Sequence, residues 1–521
     1  MHIVPTRKPS MPPSRHQPQP RVRRIERGYT TMQPARVPTQ RYLLASLWTP
    51  AHTAQAGTLS RLAQSAFINP NFAKLWWGQA ISSVGDYAWD TALVLWVATF
   101  LAANQSWAPL AVSGVILAAA VPQIVAGPVA GVFVDRWDKR RTMIVTAGLQ
   151  ALVAALLILP IGGVPLPLLG TVRLPLFWRL GIAYADVSLL ATFAQFFNPA
   201  QFALIKDIVP EPKQDQAIET SQAIQGLSVV LGPPLAAALV FGLGFEWALL
   251  LNALSFVVSF LAIFAIEAPP AASSISPGEA GHFIREFRDG MGYVASHTVL
   301  RTILVSEILT WLGFGALQSL GYFFITENLR APASDYGLLG AVFGVGAIGG
   351  ALLVTFFGQR IGLAHLLWVA LVASGLFVTV MSHLTSLYPA LVAAFLFGVS
   401  ATAILVSASP LALHDTSREF VGRVMAVINP LGRLAALVSV VVAGFLVSEV
   451  LRGFHASILG ITFDPVNAVF TGMGLLAVAG GIYARISLHD RIRTGGQQRL
   501  APQVRIAANT DHDNRRTGLS A

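Results

Sequence analysis

The chain has 521 residues, 54% of them hydrophobic and only 12% charged, where a soluble domain carries about 25% charged residues; this excludes an ordinary water-soluble globule. There is no cysteine, which excludes disulfides, zinc-thiolate centres, c-type haem and iron–sulfur clusters. The net charge of +10 gathers at the ends, with ten basic residues and one acid in 1–71 and seven Arg and three Asp in 485–521, so it fits attraction to anionic lipid rather than to nucleic acid.

Residues 1–71 are rich in Pro, Arg and Gln and lack apolar periodicity; they are expected to be a disordered basic tail. No apolar core of a signal peptide follows the basic run. Twelve stretches then follow that are long enough to cross a bilayer. They fall near 76–101, 109–133, 142–162, 180–205, 216–242, 247–267, 300–325, 336–357, 363–383, 387–412, 421–447 and 465–486. Pro122 and Pro128 interrupt the second, Pro233 and Pro234 the fifth, and Pro430 the eleventh. Residues 268–298 form a linker, with 281–296 patterned as an amphipathic helix for the membrane face. The chain thus divides into a bundle of six spans (72–267), the linker, a second bundle of six (299–487) and a basic tail (488–521).

The connections set the orientation. One alternating set of loops carries eleven basic residues, among them Arg136, Lys139, Arg140, Arg141, Lys206, Lys213 and Arg360. The other set carries four: Arg173, Arg179, Arg330 and Arg452. The first set is therefore expected in the cytoplasm, with both tails. The halves echo each other faintly, in "NPAQFALIKDIVPEP" and "SASPLALHDTSREF", and in small residues at Gly127 and Gly131 and through "GLLGAVFGVGAIGGALLV".

Between the second and third spans the apolar sequence breaks into "GPVAGVFVDRWDKRRTM". It carries a Gly, then three residues, an Asp, a base, two residues and two bases: Gly131, Asp135, Arg136, Lys139 and Arg140, with Arg141 beyond. In this stretch, and over its twelve spans, the chain resembles the major facilitator superfamily. Asp138 stands where that family often has Gly. "NFAKLWWGQAISSVGDYAWD" and "NPAQFALIKDIVPEP" resemble the branch that includes macrolide and siderophore exporters. The resemblance implies an all-α integral membrane fold of twelve helices in two six-helix bundles. It also implies a gating motif of Gly131, Asp135, Arg136, Lys139, Arg140 and Arg141, whose charge contacts form in one conformation and break in the other. Topology alone would account for Arg140 and Arg141; gating would need Asp135.

Ionisable residues inside a bilayer cost at least ~2.5–3.5 kcal/mol, so each needs a reason. Asp86 and Asp90 lie one helical turn apart in the first span, on a polar stripe with Gln79 and Ser82 that is expected to face the bundle interior. Two like charges at that spacing repel and are set up to share a proton. Glu307 in the seventh span begins a stripe of Trp311, Phe314, Gln318 and Tyr322, which could hold a bulky cation or could be packing. Arg433 in the eleventh span, beside Asn429, cannot neutralise itself and is expected to pair with Glu307, Asp86 or Asp90. Gln222 and Gln225 are expected to extend the cavity. Asp186 is expected to be solvated near the outer end of the fourth span.

No nucleotide-binding P-loop and no H-E-x-x-H zinc motif exists. "SVGD" is half of an intramembrane aspartyl protease motif without its other half. The charges are few and of both signs, unlike the rings of a channel. The expected function is therefore not enzymatic. It is secondary active transport by alternating access, exporting a small amphipathic compound against proton entry, from a monomer in the cell membrane with no cofactor or metal. An importer or facilitator of a metabolite, or a non-transporting sensor on the same fold, are the alternatives.

Overall fold

The computed structural model describes residues 68–161, 174–267, 283–417, 419–458 and 461–489. Residues 1–67 and 490–521 of the two tails, 268–282 of the linker and the third-to-fourth connection that holds Arg173 lie outside them. Thirteen helices are present among the described residues. The first six are α1 (Pro70–Trp96), α2 (Ala108–Arg136), α3 (Lys139–Ile161), α4 (Leu176–Ile208), α5 (Gln214–Gly242) and α6 (Phe245–Phe264). A short amphipathic helix α7 (Phe283–Ser296) precedes α8 (Thr298–Phe323), α9 (Asp335–Ile361), α10 (Leu363–Ser382), α11 (Leu387–Asp415), α12 (Val421–Phe445) and α13 (Pro465–Ser487). Eleven of the twelve long helices are apolar enough to span a membrane by length and composition alone. The exception is α1, whose apolar run is diluted by Lys74, Gln79, Asp86 and Asp90.

The prolines do not break the spans. Helices α2, α5 and α12 run through Pro128, Pro233–Pro234 and Pro430, since packed neighbours can re-satisfy the freed backbone groups. The helix ends are built locally. Asn69 caps α1 by accepting the Phe72 N–H at 2.8 Å, and its own amide donates to the Ile208 carbonyl at the end of α4 (2.7 Å). Gly244 and Gly362 take positive φ, 114° and 91°, at the sharp turns into α6 and α10.

The packing repeats between halves. In the first, α1 packs on α5 and α6, α2 on α4, and α3 on α4 and α6. In the second, α8 packs on α12 and α13, α9 on α11, and α10 on α11 and α13. These are the same pairs shifted by one half. The two interfaces between halves, α5 with α9 and α2 with α12, also exchange under that shift. A π-helical turn extends α1 (Val97–Leu101) and its counterpart α8 (Phe324–Asn328), and a third extends α12 (Leu446–Val450). The halves are twofold related, which the faint sequence echo only hinted at.

The halves meet at one end, where α1 finishes and α2 begins. Ser113 Oγ lies 2.9 Å from the Val440 carbonyl, Ser448 Oγ accepts the Leu110 N–H at 3.2 Å, and Thr99 Oγ1 donates to Tyr322 Oη at 2.9 Å. Leu110 lies in the first turn of α2, where an N–H has no partner within its own helix, so the other half caps it. Gly337 and Gly340 of α9 lie against Pro233, and Gly344 against Val230, with no room for a side chain at Gly337. These three side-chain contacts between the halves, at Ser113, Ser448 and Thr99, all lie at this one end, opposite the charged stretch around Arg140. At that opposite end α7 docks on the start of α12: Gly290 touches the Arg423 backbone and Tyr293 stacks on Phe420 at 4.4 Å. The described apolar residues of α7, Phe287, Met291 and Val294, therefore pack against protein, where the sequence pattern suggests the membrane face. At the closed end a two-stranded hairpin, β1 (Ala456–Ile458) and β2 (Ile461–Phe463), pairs Ala456 with Phe463.

Candidate functional site

Between the halves lies a cavity of two lobes, about 700 Å³ and about 500 Å³, which share Tyr87, Asp90, Ala119, Gln123, Val187 and Arg433. The larger lobe reaches past Asn198, Gln201 and Gln222 towards the open end. The smaller is walled by Trp311, Gln318, Tyr336 and Val440, below the contacts that close the other end.

Asp86 and Asp90 are placed here by close helix packing. Gly232 of α5 lies against the Tyr87–Ala88 backbone of α1, where an added Cβ would stand 2.8 Å from the Tyr87 carbonyl carbon. Gly85 in turn lies against Ser255 and Asn252 of α6. Helix α1 is thus clamped on both sides, and its remaining face turns Asp86 and Asp90 into the cavity. Asp90 is exposed there and Asp86 is half-buried. No described Lys, Arg or His lies within 4 Å of either carboxylate.

The rest of the predicted stripe does not follow them. Gln79 and Ser82 are buried, and the Gln79 amide donates to Ser259 Oγ of α6 at 3.0 Å. The polar face of α1 therefore splits, the first part serving the α1–α6 seam and the second the cavity. Gln222 and Gln225 line the larger lobe as expected, with Gln225 Nε2 3.4 Å from Ser83 Oγ.

The predicted stripe on α8 splits as well. Trp311 and Gln318 line the smaller lobe. Phe314 packs between Trp311 and Phe343, at 5.7 Å from each ring centroid. Tyr322 is buried at the closed end, bonded to Thr99. Both serve packing, because α8 turns only part of its circumference to the cavity. Glu307 does not line either lobe. Its Oε1 accepts the Trp311 indole N–H at 3.0 Å.

Arg433 corrects another expectation. It is exposed to both lobes and has no carboxylate within 4 Å among the described residues. It is not a buried ion pair but an exposed guanidinium on the cavity wall. Asn429, one turn away, is also exposed and lines neither lobe. Asp186 corrects in the opposite sense. It is 4% exposed, and neither carboxylate oxygen has a hydrogen-bond partner among the described residues.

The cavity also holds residues that the sequence reading passed over. Gln195, Asn198 and Gln201 of α4, with Gln123 of α2 and Gln150 of α3, turn its first-half wall into a lining of carboxamides. A signal for three of them was present: Gln195, Asn198 and Gln201 recur every three residues in the sequence of α4.

The charged stretch at the open end proves to have two parts. Asp138 caps α3, its Oδ1 accepting the Arg141 N–H at 2.6 Å. The Asp that replaces the family's Gly therefore builds the helix start by a side-chain cap. Arg140 donates to the carbonyls of Phe264 (2.6 Å) and Ile263 (3.3 Å) at the end of α6. A cation there satisfies carbonyls that have no partner within their helix. That bond lies within the first half, so in this conformation Arg140 is structural rather than a contact across halves. Arg136 and Arg141 are exposed. Asp135 sits in the last turn of α2, and its side chain is outside the described residues. No atom comes within 4 Å of a Cβ built on Gly131.

A family model described as "transmembrane secretion effector" matches residues 60–479. Similar proteins include an MFS-type transporter, YfiS, of Bacillus subtilis, 25% identical over 56% of this chain and 64% of its own length, just under two thirds of that protein. Macrolide efflux protein A of Streptococcus pyogenes is 21% identical over 73% of this chain and 90% of its own. The fold also matches the crystal structure of the nucleoside transporter NupG, with a TM-score of 0.62 over 81% of this chain and 99% of that one at 10% identity. With twelve spans in two related halves around a central cavity, this multi-pass membrane protein belongs to the transmembrane secretion effector family of the major facilitator superfamily, and is a transporter rather than an enzyme.

Proposed function

We propose that the protein exports a small amphipathic compound across the cell membrane by alternating access, driven by proton entry. The observation that carries this reading is the pair Asp86 and Asp90, one turn apart, without cationic partners among the described residues, on the wall of the cavity between the halves. A carboxylate that faces such a cavity can take a proton from one side and release it to the other as the halves rock. Similarity to a macrolide efflux protein favours export over import. The excess of basic residues in the loops at the open end favours an inward-open state, with both basic tails in the cytoplasm against anionic lipid. The transporter works as a monomer, with no cofactor and no nucleic-acid partner.

The test is substrate-dependent proton flux in liposomes reconstituted with purified protein, screened over macrolides and siderophores. Compound-driven proton movement that Asp90→Asn abolishes supports the reading. Uptake without proton movement would favour a facilitator, and no response to any compound would favour a sensor.

A further inference from the structure

The cavity holds charges of both signs that the protein itself does not neutralise. Asp86 and Asp90 stand on α1 of the first half, and Arg433 on α12 of the second. Asp90 and Arg433 both border both lobes, so a compound in either lobe meets both charges. Arginine cannot shed its proton, so Arg433 is a permanent cation in the membrane and needs a reason to be there.

The protein has an acid close by and does not use it for Arg433. Gly432, next in the chain to Arg433, lies against Glu307, and a Cβ at Gly432 would come within 3.1 Å of Glu307 Cγ. Yet Glu307 is bonded to the Trp311 indole on its own helix, and Arg433 is left open to the cavity. Beside these charges the first-half wall of the larger lobe offers carboxamides, Gln123, Asn198 and Gln222 among them. Uncharged amides both donate and accept hydrogen bonds, which suits a ligand with peptide-like groups.

We infer that the transported compound is a zwitterion of amino-acid or peptide-like chemistry, its carboxylate held by Arg433 and its ammonium by Asp90. The inference rests on the transport reading above and narrows its substrate class. A guanidinium and a carboxylate match in a two-point hydrogen-bonded fork. A ligand held in this way ties the first half to the second through its own two charges, and so favours the two walls closing on it. A proton on Asp90 and an ammonium beside it exclude each other, which couples substrate release to proton uptake at one carboxylate.

The test uses the full chain in detergent and the matched set L-alanyl-L-phenylalanine, its N-acetyl derivative and its C-terminal amide. Binding is read from tryptophan fluorescence excited beyond phenylalanine, since Trp89 and Trp311 line the cavity. The free dipeptide is expected to bind at least tenfold more tightly than either blocked form. Arg433→Gln should lower its affinity to that of the wild-type protein for the amide, and leave the amide unaffected. Asp90→Asn should do the same with respect to the N-acetyl form. Arg433→Lys should restore part of the loss, which separates charge recognition from a folding defect.

The inference is overturned if no member of the set binds, if the blocked forms bind as well as the free dipeptide, or if each variant weakens all three equally. The transport reading is judged separately in liposomes. Proton flux with erythromycin or desferrioxamine, but no preference for the zwitterion, sinks the inference alone. No flux with any compound, the dipeptide included, sinks the transport reading.

Discussion

Ser113 and Gly444 meet across the two halves so closely that a side chain on Gly444 would overlap the Ser113 hydroxyl and stand 3.0 Å from the Pro109 carbonyl. The same Ser113 oxygen lies 2.9 Å from both the Pro109 and the Val440 carbonyls. One glycine thus lets α2 and α12 touch backbone to backbone and seal one end of the cavity.

Gly444→Val should pry that end open. Overpacking of this kind costs about 1–3 kcal/mol, and 1.4 kcal/mol is a tenfold change in a population ratio. The variant should expose engineered cysteines at position 99 or 110 to a membrane-impermeant reagent roughly tenfold faster or more. The native chain has no cysteine to interfere. Unchanged labelling would mean that the α2–α12 contact does not hold this end shut.

Within the charged stretch, Arg140 and Asp135 should behave differently. Arg140→Ala removes two hydrogen bonds from a cation to carbonyls at the end of α6; bonds to charged groups are worth about 1.5–3 kcal/mol each. It should lower the melting temperature in detergent. Asp135→Asn should leave orientation and folding intact and reduce transport, since acids contribute little to topology. Normal transport by Asp135→Asn would leave this stretch as a topology and folding signal only.

Asp90→Asn should abolish proton-driven accumulation and keep part of the downhill exchange, because an amide retains hydrogen bonding and cannot cycle a proton. Asp86→Asn should be similar or milder, as it is the more enclosed of the two. If both variants accumulate substrate at the wild-type rate, the coupling group lies elsewhere, and the buried, unpartnered carboxyl of Asp186 is the next place to look.

The spans were legible in the sequence because the hydrophobic requirement of a bilayer acts on every residue of a stretch. The predicted 387–412 and 465–486 are observed as Leu387–Asp415 and Pro465–Ser487. Which polar residue faces the cavity was legible only in part. Gln79 and Asp86 look alike on a helical wheel, but one meets α6 and the other the cavity. That choice is made by Gly85 and Gly232, which set how closely α6 and α5 approach α1. Arg433 misled for a related reason: a charge in a span needs compensation, and sequence does not reveal whether a partner or cavity water supplies it.

His383 ties stability to pH at the closed end. It follows α10, its ring 3.0 Å from Thr471 Oγ1 and edge-on to Phe463 of the hairpin at 5.0 Å. Burial holds its imidazole below the ordinary value of 6.5, against a smaller opposing pull from the Thr462 backbone. The folded state therefore prefers the neutral ring. Its contribution is fully present above pH 6.5 and is lost as the pH falls through the folded value, because the unfolded chain takes the proton first. The melting temperature should drop between pH 7 and 5 more in the wild type than in His383→Gln. Parallel curves would show that another group sets the acid sensitivity.

The seam between α5 and α9 bears on how the open end closes. On α5, Val230 and Pro233 already touch α9 at Gly344, Gly340 and Gly337. Gly226 is the next position on that same face, one turn nearer the open end, and no atom comes within 4 Å of a Cβ built there. Across from it, α9 continues with Ile348 and Leu352, 43% and 51% exposed. If the halves rock about their closed end, this seam must zip downwards, and Gly226 is where α9 would land. Gly226→Leu should fold normally, because the site is open and leucine favours helix over glycine by up to about 1 kcal/mol. It should nonetheless hold the open end apart, cut transport severalfold or more, and label at that end as the resting wild type does. Gly226→Ala should be much milder. Wild-type transport by Gly226→Leu would show that the end closes along another face, leaving the α2 glycine at 131, equally without neighbours, as the surface to test.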